Sequence, residues 1–368
     1  MGKVKVLTAR QAADLIKDGD TVTLSGFVAN GIAEALNTAA EERFLETGHP
    51  RDLTLFWVAG TGNKDGSHAD HYAHEGMVKK VIGGHFNFVP KICEMLSENK
   101  IEGYNVPQGA IAQMLRDNAA HKVGTISHVG IGTFAEPRNG GGRLSEKTKE
   151  DIVKIIELEG QEQLFYPRIP MDVAFIRGTY ADELGNITLE KEMAPLDATS
   201  QAMAVHNNGG LVVVQVERVV KAGHLDPKLV KIPGIYVDAV VECPADDPKQ
   251  SQSINCTYDP AYAGNTQVPV SSLEPKKLDA KKIIGRRAAM ELKKNVVVNL
   301  GVGVPEWVSS VAAEEGVADE MTLTVECGPV GGVPGGGLRF GGSVNAQAYM
   351  DEGYQFDFYD GGGLDLCF

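Results

Sequence analysis

Asn295-Val296-Val297-Val298-Asn299-Leu300-Gly301-Val302-Gly303-Val304-Pro305 reads as a short β-strand running into a glycine loop that opens a helix. Residues 278–293 before it have helical spacing. Residues 306–315 after it read as a second helix, with Pro305 in or beside its first turn. The same order stands at the other end of the chain. Residues 8–17 read as a helix capped by Thr8 and closed by Asp18-Gly19-Asp20. Thr21-Val22-Thr23-Leu24-Ser25 reads as a strand, Gly26-Phe27-Val28-Ala29-Asn30-Gly31 as the loop, and residues 33–43 as the next helix. A helix–strand–glycine loop–helix unit that occurs twice predicts two tandem, open, mostly parallel α/β domains.

Between the repeats, residues 53–58, 173–176, 210–216 and 236–241 are largely apolar and read as strands buried on both faces. Helical spacing at residues 110–120, 147–158 and 196–205 supplies the covering layers. Tyr180-Ala181-Asp182-Glu183-Leu184-Gly185-Asn186-Ile187 reads as a hairpin. Residues 265–275 are polar, contain proline and lack periodicity. The expected division is therefore a domain over 1–270, a joining segment over 271–277 and a second domain over 278–368. The second is expected to be incomplete, since Asp365-Leu366-Cys367-Phe368 reads as part of a further strand.

The composition, 43% hydrophobic and 23% charged over 368 residues, is that of an ordinary globular protein. A formal net charge of −14 with no compensating basic patch argues against a nucleic-acid or anionic-membrane partner. The paired bases Lys276-Lys277, Lys281-Lys282 and Arg286-Arg287 are spaced like one solvated helix face. Five cysteines form no CxxC pair, and residues 1–6 hold no apolar leader; both fit a cytoplasmic setting. Among motifs, Gly301-Val302-Gly303 lacks the third glycine of a dinucleotide turn and has Glu306 in its place, a charge that repels pyrophosphate. The histidines of His68-Ala69-Asp70-His71-Tyr72-Ala73-His74-Glu75 step by three rather than four, which favours a structural role over a metal site. The loop from Gly130 to Gly142 either lines a cleft or turns the chain.

The carboxylate of Glu326 stands out. It ends the apolar run Met321-Thr322-Leu323-Thr324-Val325 and is followed by Cys327-Gly328-Pro329 and by Gly331-Gly332-Val333-Pro334-Gly335-Gly336-Gly337. The repeat puts Gly301–Gly303 and Glu326 at the ends of neighbouring strands, and a later stretch ends in Gly361-Gly362-Gly363. One carboxylate among glycine loops suggests a pocket of backbone N–H groups around a developing oxyanion.

Thr324-Val325-Glu326-Cys327-Gly328 with Gly331-Gly332-Val333-Pro334, and Asp360-Gly361-Gly362-Gly363-Leu364-Asp365-Leu366, resemble family I coenzyme A transferases of the fused propionate/acetate type. Ser25-Gly26-Phe27, Gly178-Thr179-Tyr180-Ala181-Asp182, Val216-Glu217-Arg218-Val219-Val220 and Asn299-Leu300-Gly301-Val302-Gly303 carry the same resemblance. There are two departures: family members continue past Phe368, and Cys327 stands where a serine is more common. The resemblance implies that Glu326 is the nucleophile and that Gly301, Val302, Gly303, Gly361, Gly362 and Gly363 bind CoA and the oxyanion. Phe27, Val28, Asn30 and Gln108 would wall the acid pocket. It further implies coenzyme A as a substrate, no permanently bound cofactor, no metal, short-chain carboxylic acids as partners and a homo-oligomer. The competing readings are an acyl-CoA hydrolase on the same scaffold, a non-catalytic fragment that binds CoA or a partner chain, and, more remotely, an isomerase.

Overall fold

The computed structural model of the chain describes residues 2–359. Its centre is an eight-stranded sheet in the order Lys5–Leu7, Ala239–Glu242, Leu211–Val216, Val173–Arg177, Thr21–Leu24, Leu53–Trp57, Val78–Gly83 and Glu102–Asn105. Every pairing in it is parallel. The period-two rule assigns its side chains to two layers. Val173 and Phe175 pack with helices α1 (Ala9–Ala13), α2 (Glu34–Thr47) and α3 (Pro90–Ser97) on one face. Ala174 and Ile176 pack with α4 (Gln108–Ala119) and α5 (Ala198–Asn207) on the other. Both faces are thus covered, as the largely apolar strands require. Helix α1 starts at Thr8 with a full capping box: Thr8 Oγ1 accepts from Gln11 N–H and the Gln11 side chain accepts from Thr8 N–H.

Sheet order reverses direction between Thr21–Leu24 and Val173–Arg177. From there Leu53–Trp57, Val78–Gly83 and Glu102–Asn105 step outward in chain order on one side and Leu211–Val216 and Ala239–Glu242 on the other, where Lys5–Leu7 forms the edge. Such switch points open a crevice at the carboxyl ends of the strands. The loops that leave those ends are Ser25–Gly31, Gly60–Thr61, Gly84–Phe88 and Asn105–Gln108.

The second repeat builds a smaller sheet in the order Val297–Asn299, Thr322–Thr324, Pro329–Val330 and Ala348–Tyr349. Its first two strands are parallel neighbours. Helices α6 (Ala280–Ala289) and α7 (Glu306–Glu314) pack against each other beside it. The paired bases are only partly a solvated face: Lys282 is 8% exposed and meets Glu314 at 2.5 Å, while Arg286 and Arg287 stay outside. Helix α8 (Glu352–Phe358) returns to pack on α4.

One expected helix is not there. Residues 147–158 hold a strand, Lys154–Leu158, paired antiparallel with Gln161–Pro167, which in turn pairs with Gly124–Ser127. The reason is local: Glu159 and Gly160 both have positive φ, 49° and 74°, the two-residue turn that suits a twisted hairpin. The expected hairpin at 180–187 is present, with Tyr180–Asp182 paired to Ile187–Thr188.

The histidine-rich segment at 68–75 is structural. His71 Nε2 lies 2.7 Å from Glu34 Oε1 and Nδ1 lies 2.5 Å from Glu41 Oε2; His74 Nε2 is 2.7 Å from Glu41 Oε1. Burial favours the neutral His71 ring, but the bonds to Glu34 and Glu41 outweigh it and raise the imidazolium's pKa above the ordinary value. Burial likewise opposes the Glu41 charge, and its bonds to His71 and His74 bring it lower on balance. Fully buried His68 is the opposite case, held neutral by burial with its pKa lowered to about 3. A raised folded-state pKa gives His71 a stabilising contribution that is complete below the unfolded value of about 6.5 and lost as pH rises through the folded one. Thermal unfolding between pH 6 and 9 is expected to show a fall in Tm on the alkaline side that is missing in His71→Gln. An identical pH dependence in the two proteins would refute the assignment.

Candidate active site

The crevice at the strand ends of the large sheet faces the strand ends of the small one. Between them lies a cleft with about 380 Å³ of empty space, lined by Phe27, Val28, Gly60, His85, Phe88, Gln108, Gly301, Val302, Glu326 and Phe340. Its residues come from separate strand ends: Phe27 and Val28 follow Thr21–Leu24, Gly60 follows Leu53–Trp57, His85 follows Val78–Gly83 and Gln108 opens α4. Gly301 and Val302 follow Val297–Asn299, and Glu326 follows Thr322–Thr324.

Glu326 is 7% exposed, so its carboxylate sits at the floor of this cleft rather than on an edge. The turn beneath it is tight, with Gly328 N–H donating to Val325 O at 3.2 Å and Gly331 N–H to Leu323 O at 2.8 Å. The neighbouring Cys327 is fully buried, its Sγ 3.3 Å from Gly341 O, and burial holds the thiol protonated well above its usual range. A neutral thiol in that position does not compete as a nucleophile. Thr324 Oγ1 contacts the Tyr359 hydroxyl, which accepts from Gln355 Nε2 at 2.9 Å, so α8 braces the strand that carries Glu326.

Of the residues named from the sequence, Phe27, Val28, Gln108, Gly301, Val302 and Glu326 meet in the one cleft. Asn30 stands behind the wall: it is 1% exposed and its Nδ2 donates to Phe340 O at 3.0 Å. Gly303 is also outside the lining, and its N–H donates to Glu306 Oε1 at 2.8 Å, which ties the loop to the first residue of α7. Gly361, Gly362 and Gly363 lie outside the described residues. The sequence reading missed Gly60, His85, Phe88 and Phe340, whose places in the cleft depend on the fold. Burial, reinforced by the Lys64 charge, favours the neutral His85 ring. The only sequence signal for this cluster is Gly83-Gly84 before His85. A Cβ on Gly84 would stand 2.0 Å from Val58 O and 2.5 Å from Gln108 Cγ, so a side chain there would drive Gln108 out of place.

The residues 6–243 match the model of the family described as Coenzyme A transferase. The whole chain aligns at 43% identity with acetate CoA-transferase YdiF of Escherichia coli K12, covering 69% of that protein. The chain belongs to the coenzyme A transferase family. Caffeate CoA-transferase of Acetobacterium woodii is 41% identical over 99% of this chain and 69% of its own length. The crystal structure of the acyl-CoA transferase YdiF apoenzyme from Escherichia coli O157:H7 superposes with a TM-score of 0.90 at 41% identity, covering 98% of this chain and 68% of that one. That enzyme has also been crystallised as a thioester complex with CoA, at the same similarity to this chain. The family's mixed α/β architecture is the one seen here, with its large parallel sheet. No helix among the described residues is long and apolar enough to cross a membrane.

Proposed function

We propose that this coenzyme A transferase moves CoA from a short-chain acyl-CoA, propionyl-CoA or acetyl-CoA, to a free carboxylic acid through a thioester on Glu326. The observation that carries the reading is the burial of Glu326 at the floor of a cleft where two sets of strand ends meet. A carboxylate is ionised at neutral pH and needs no general base. Its oxygen attacks the thioester carbonyl, the C–S bond breaks, and CoA thiolate leaves a mixed anhydride. The thiolate then attacks the glutamyl carbonyl, giving enzyme–CoA thioester and free acid. A second carboxylate repeats the two steps in reverse and departs as its CoA ester.

Carboxylates are weak nucleophiles, so the barrier must fall through the surroundings. Backbone N–H groups of the Gly301–Val302 turn are the candidate oxyanion donors, each worth about 3–4 kcal/mol when aimed at developing charge. Gly303, with its N–H committed to Glu306, is set aside as a donor in this conformation. Phe27, Val28, Phe88 and Phe340 make an apolar wall that excludes water from the thioester, which favours transfer over hydrolysis. The names of the relatives, acetate and caffeate CoA-transferase, cover a small aliphatic acid and a bulky aromatic one. Acid choice is therefore assigned to these wall residues and Gln108. One methylene in such a pocket is worth only about 1–3 kcal/mol. The same proposal includes the division into units 1–270 and 278–368, supported by their separate sheets, coenzyme A as substrate without a resident cofactor, and a homo-oligomer.

Intact mass after mixing the protein with propionyl-CoA tests the reading. The expected result is an adduct of CoA mass that maps to Glu326 and is discharged by added acetate. Discharge by water at the same rate without acid would make the protein a hydrolase. An adduct on another residue would remove Glu326 from its role.

A further inference from the structure

Behind Glu326 lie two buried carboxyl groups for which the transfer steps have no use. Asp197 precedes α5 and is 6% exposed; Glu352 opens α8 and is 1% exposed. Their side chains are within hydrogen-bonding reach of each other. Both line one small pocket together with Thr23, Trp57, Leu115 and Gln201. Asp197 makes no side-chain cap on its own helix. Among the described residues, no donor of normal hydrogen-bond geometry reaches Asp197 Oδ1, Asp197 Oδ2 or Glu352 Oε1.

The charged groups around the pair are few. Asp351 adjoins it on the chain, with Lys231 beyond. Arg116 approaches from α4, its guanidinium engaged by Asp357 at 2.8 Å and stacked over Tyr354 at 4.7 Å. The Gly353 amide lies near Asp197, and Glu326 and the Cys327 thiol face Glu352 from the strand end. Burial pushes both carboxyls upward, and the charges of Asp351 and Glu326 add to it. Arg116 and the Gly353 amide offset only part. Two buried carboxylates side by side repel, whereas a carboxylic acid facing a carboxylate makes a strong charge-assisted hydrogen bond.

We propose that Asp197 and Glu352 share a proton at neutral pH and, joined by it, seat helix α8 and the Glu326 strand end against the large sheet, so that CoA transfer fails when the proton leaves. The contacts form a continuous chain. Glu352 N–H donates to Leu196 O at 3.1 Å, and Gln355 on α8 donates to the hydroxyl of Tyr359, the residue that caps α8, which contacts Thr324, two residues before Glu326. Asp197 and Glu352 are thus positioning residues, and their role in transfer rests on Glu326 being the nucleophile.

Infrared spectroscopy and pH–rate profiles of wild type, Asp197→Asn, Glu352→Gln and Glu326→Gln test the proposal. Either amide keeps a hydrogen bond across the pair while removing its shared acidic proton. The wild type is expected to show at pH 7 the C=O stretch of a buried carboxylic acid. That band is lost at alkaline pH and in both amide variants, and kept in Glu326→Gln. The wild-type kcat/KM falls about tenfold per pH unit beyond its alkaline midpoint, as for loss of one essential proton, and this limb is absent or displaced in the amide variants. No such band in the wild type, a band unchanged in both amide variants, or an alkaline limb the same in all active forms would overturn the proposal. The covalent adduct at neutral pH separates the two ideas: without it in the wild type the nucleophile assignment fails, while the carboxylic-acid band still decides the pair.

Discussion

Replacing Glu326 with glutamine or alanine is expected to lower CoA transfer by about four orders of magnitude or more, the scale on which enzymes respond to loss of a covalent nucleophile. Glutamine keeps the shape of the side chain, so binding of acyl-CoA should survive in Glu326→Gln while the adduct disappears. The site predicts little structural damage, since the side chain projects into a cleft rather than filling a core. Single-turnover kinetics with acyl-CoA, alongside a binding measurement, check this. Turnover near the wild-type rate in either variant would end the assignment, whatever the family.

Phe340→Ala is expected to cost about 3–5 kcal/mol in unfolding free energy, the usual range for truncating a buried phenylalanine. Phe340 is 1% exposed and stacks on Phe27 with ring centroids 5.7 Å apart and planes at 22°. Its carbonyl accepts from Asn30 Nδ2. It belongs to a cluster in which Phe27, Val28, Ala29 and Ala59 from the large sheet's loops meet Val325 and Cys327 from the small sheet. The loss should therefore appear as separation of the two sheets as well as a lower Tm. Because Phe340 also lines the cleft, KM for acyl-CoA should rise, and Phe340→Leu should recover part of both effects. Denaturant unfolding within about 1 kcal/mol of wild type would show that this cluster does not hold the halves together.

Much of the fold was legible because local pattern and tertiary context agree. The apolar runs at 173–176 and 210–216, broken only by Gln215, show no regular polar alternation, and the structure buries both their faces. Thr8, an N-cap residue before helical spacing, announced the start of α1. The exception, residues 147–158, shows where pattern fails. A short apolar run suits a helix or a strand alike, and the deciding signal was the Glu159-Gly160 turn just beyond it. Glu326 was legible as a carboxylate spent at the end of an apolar strand, and Gly301 and Val302 as its neighbours by the repeat.

The rest of the site had no local signature. His85, Phe88, Gly60 and Phe340 are ordinary residues in sequence, and only the convergence of the two sets of strand ends makes them the walls of one cleft. Asn30 and Gly303 sat within recognisable loops, yet burial turned one amide onto Phe340 O, and the other residue's N–H is held by the Glu306 side chain. The Asp197–Glu352 pair is separated by 155 positions in the chain, and nothing near either residue marks it. Sequence alone determined most of the order of helices and strands and singled out Glu326 as the proposed nucleophile, because backbone preference and apolar periodicity act over a few neighbours. Tertiary structure decided which side chains face that residue and which carboxyls must keep a proton. Desolvation and close packing are set by atoms brought together from distant parts of the chain.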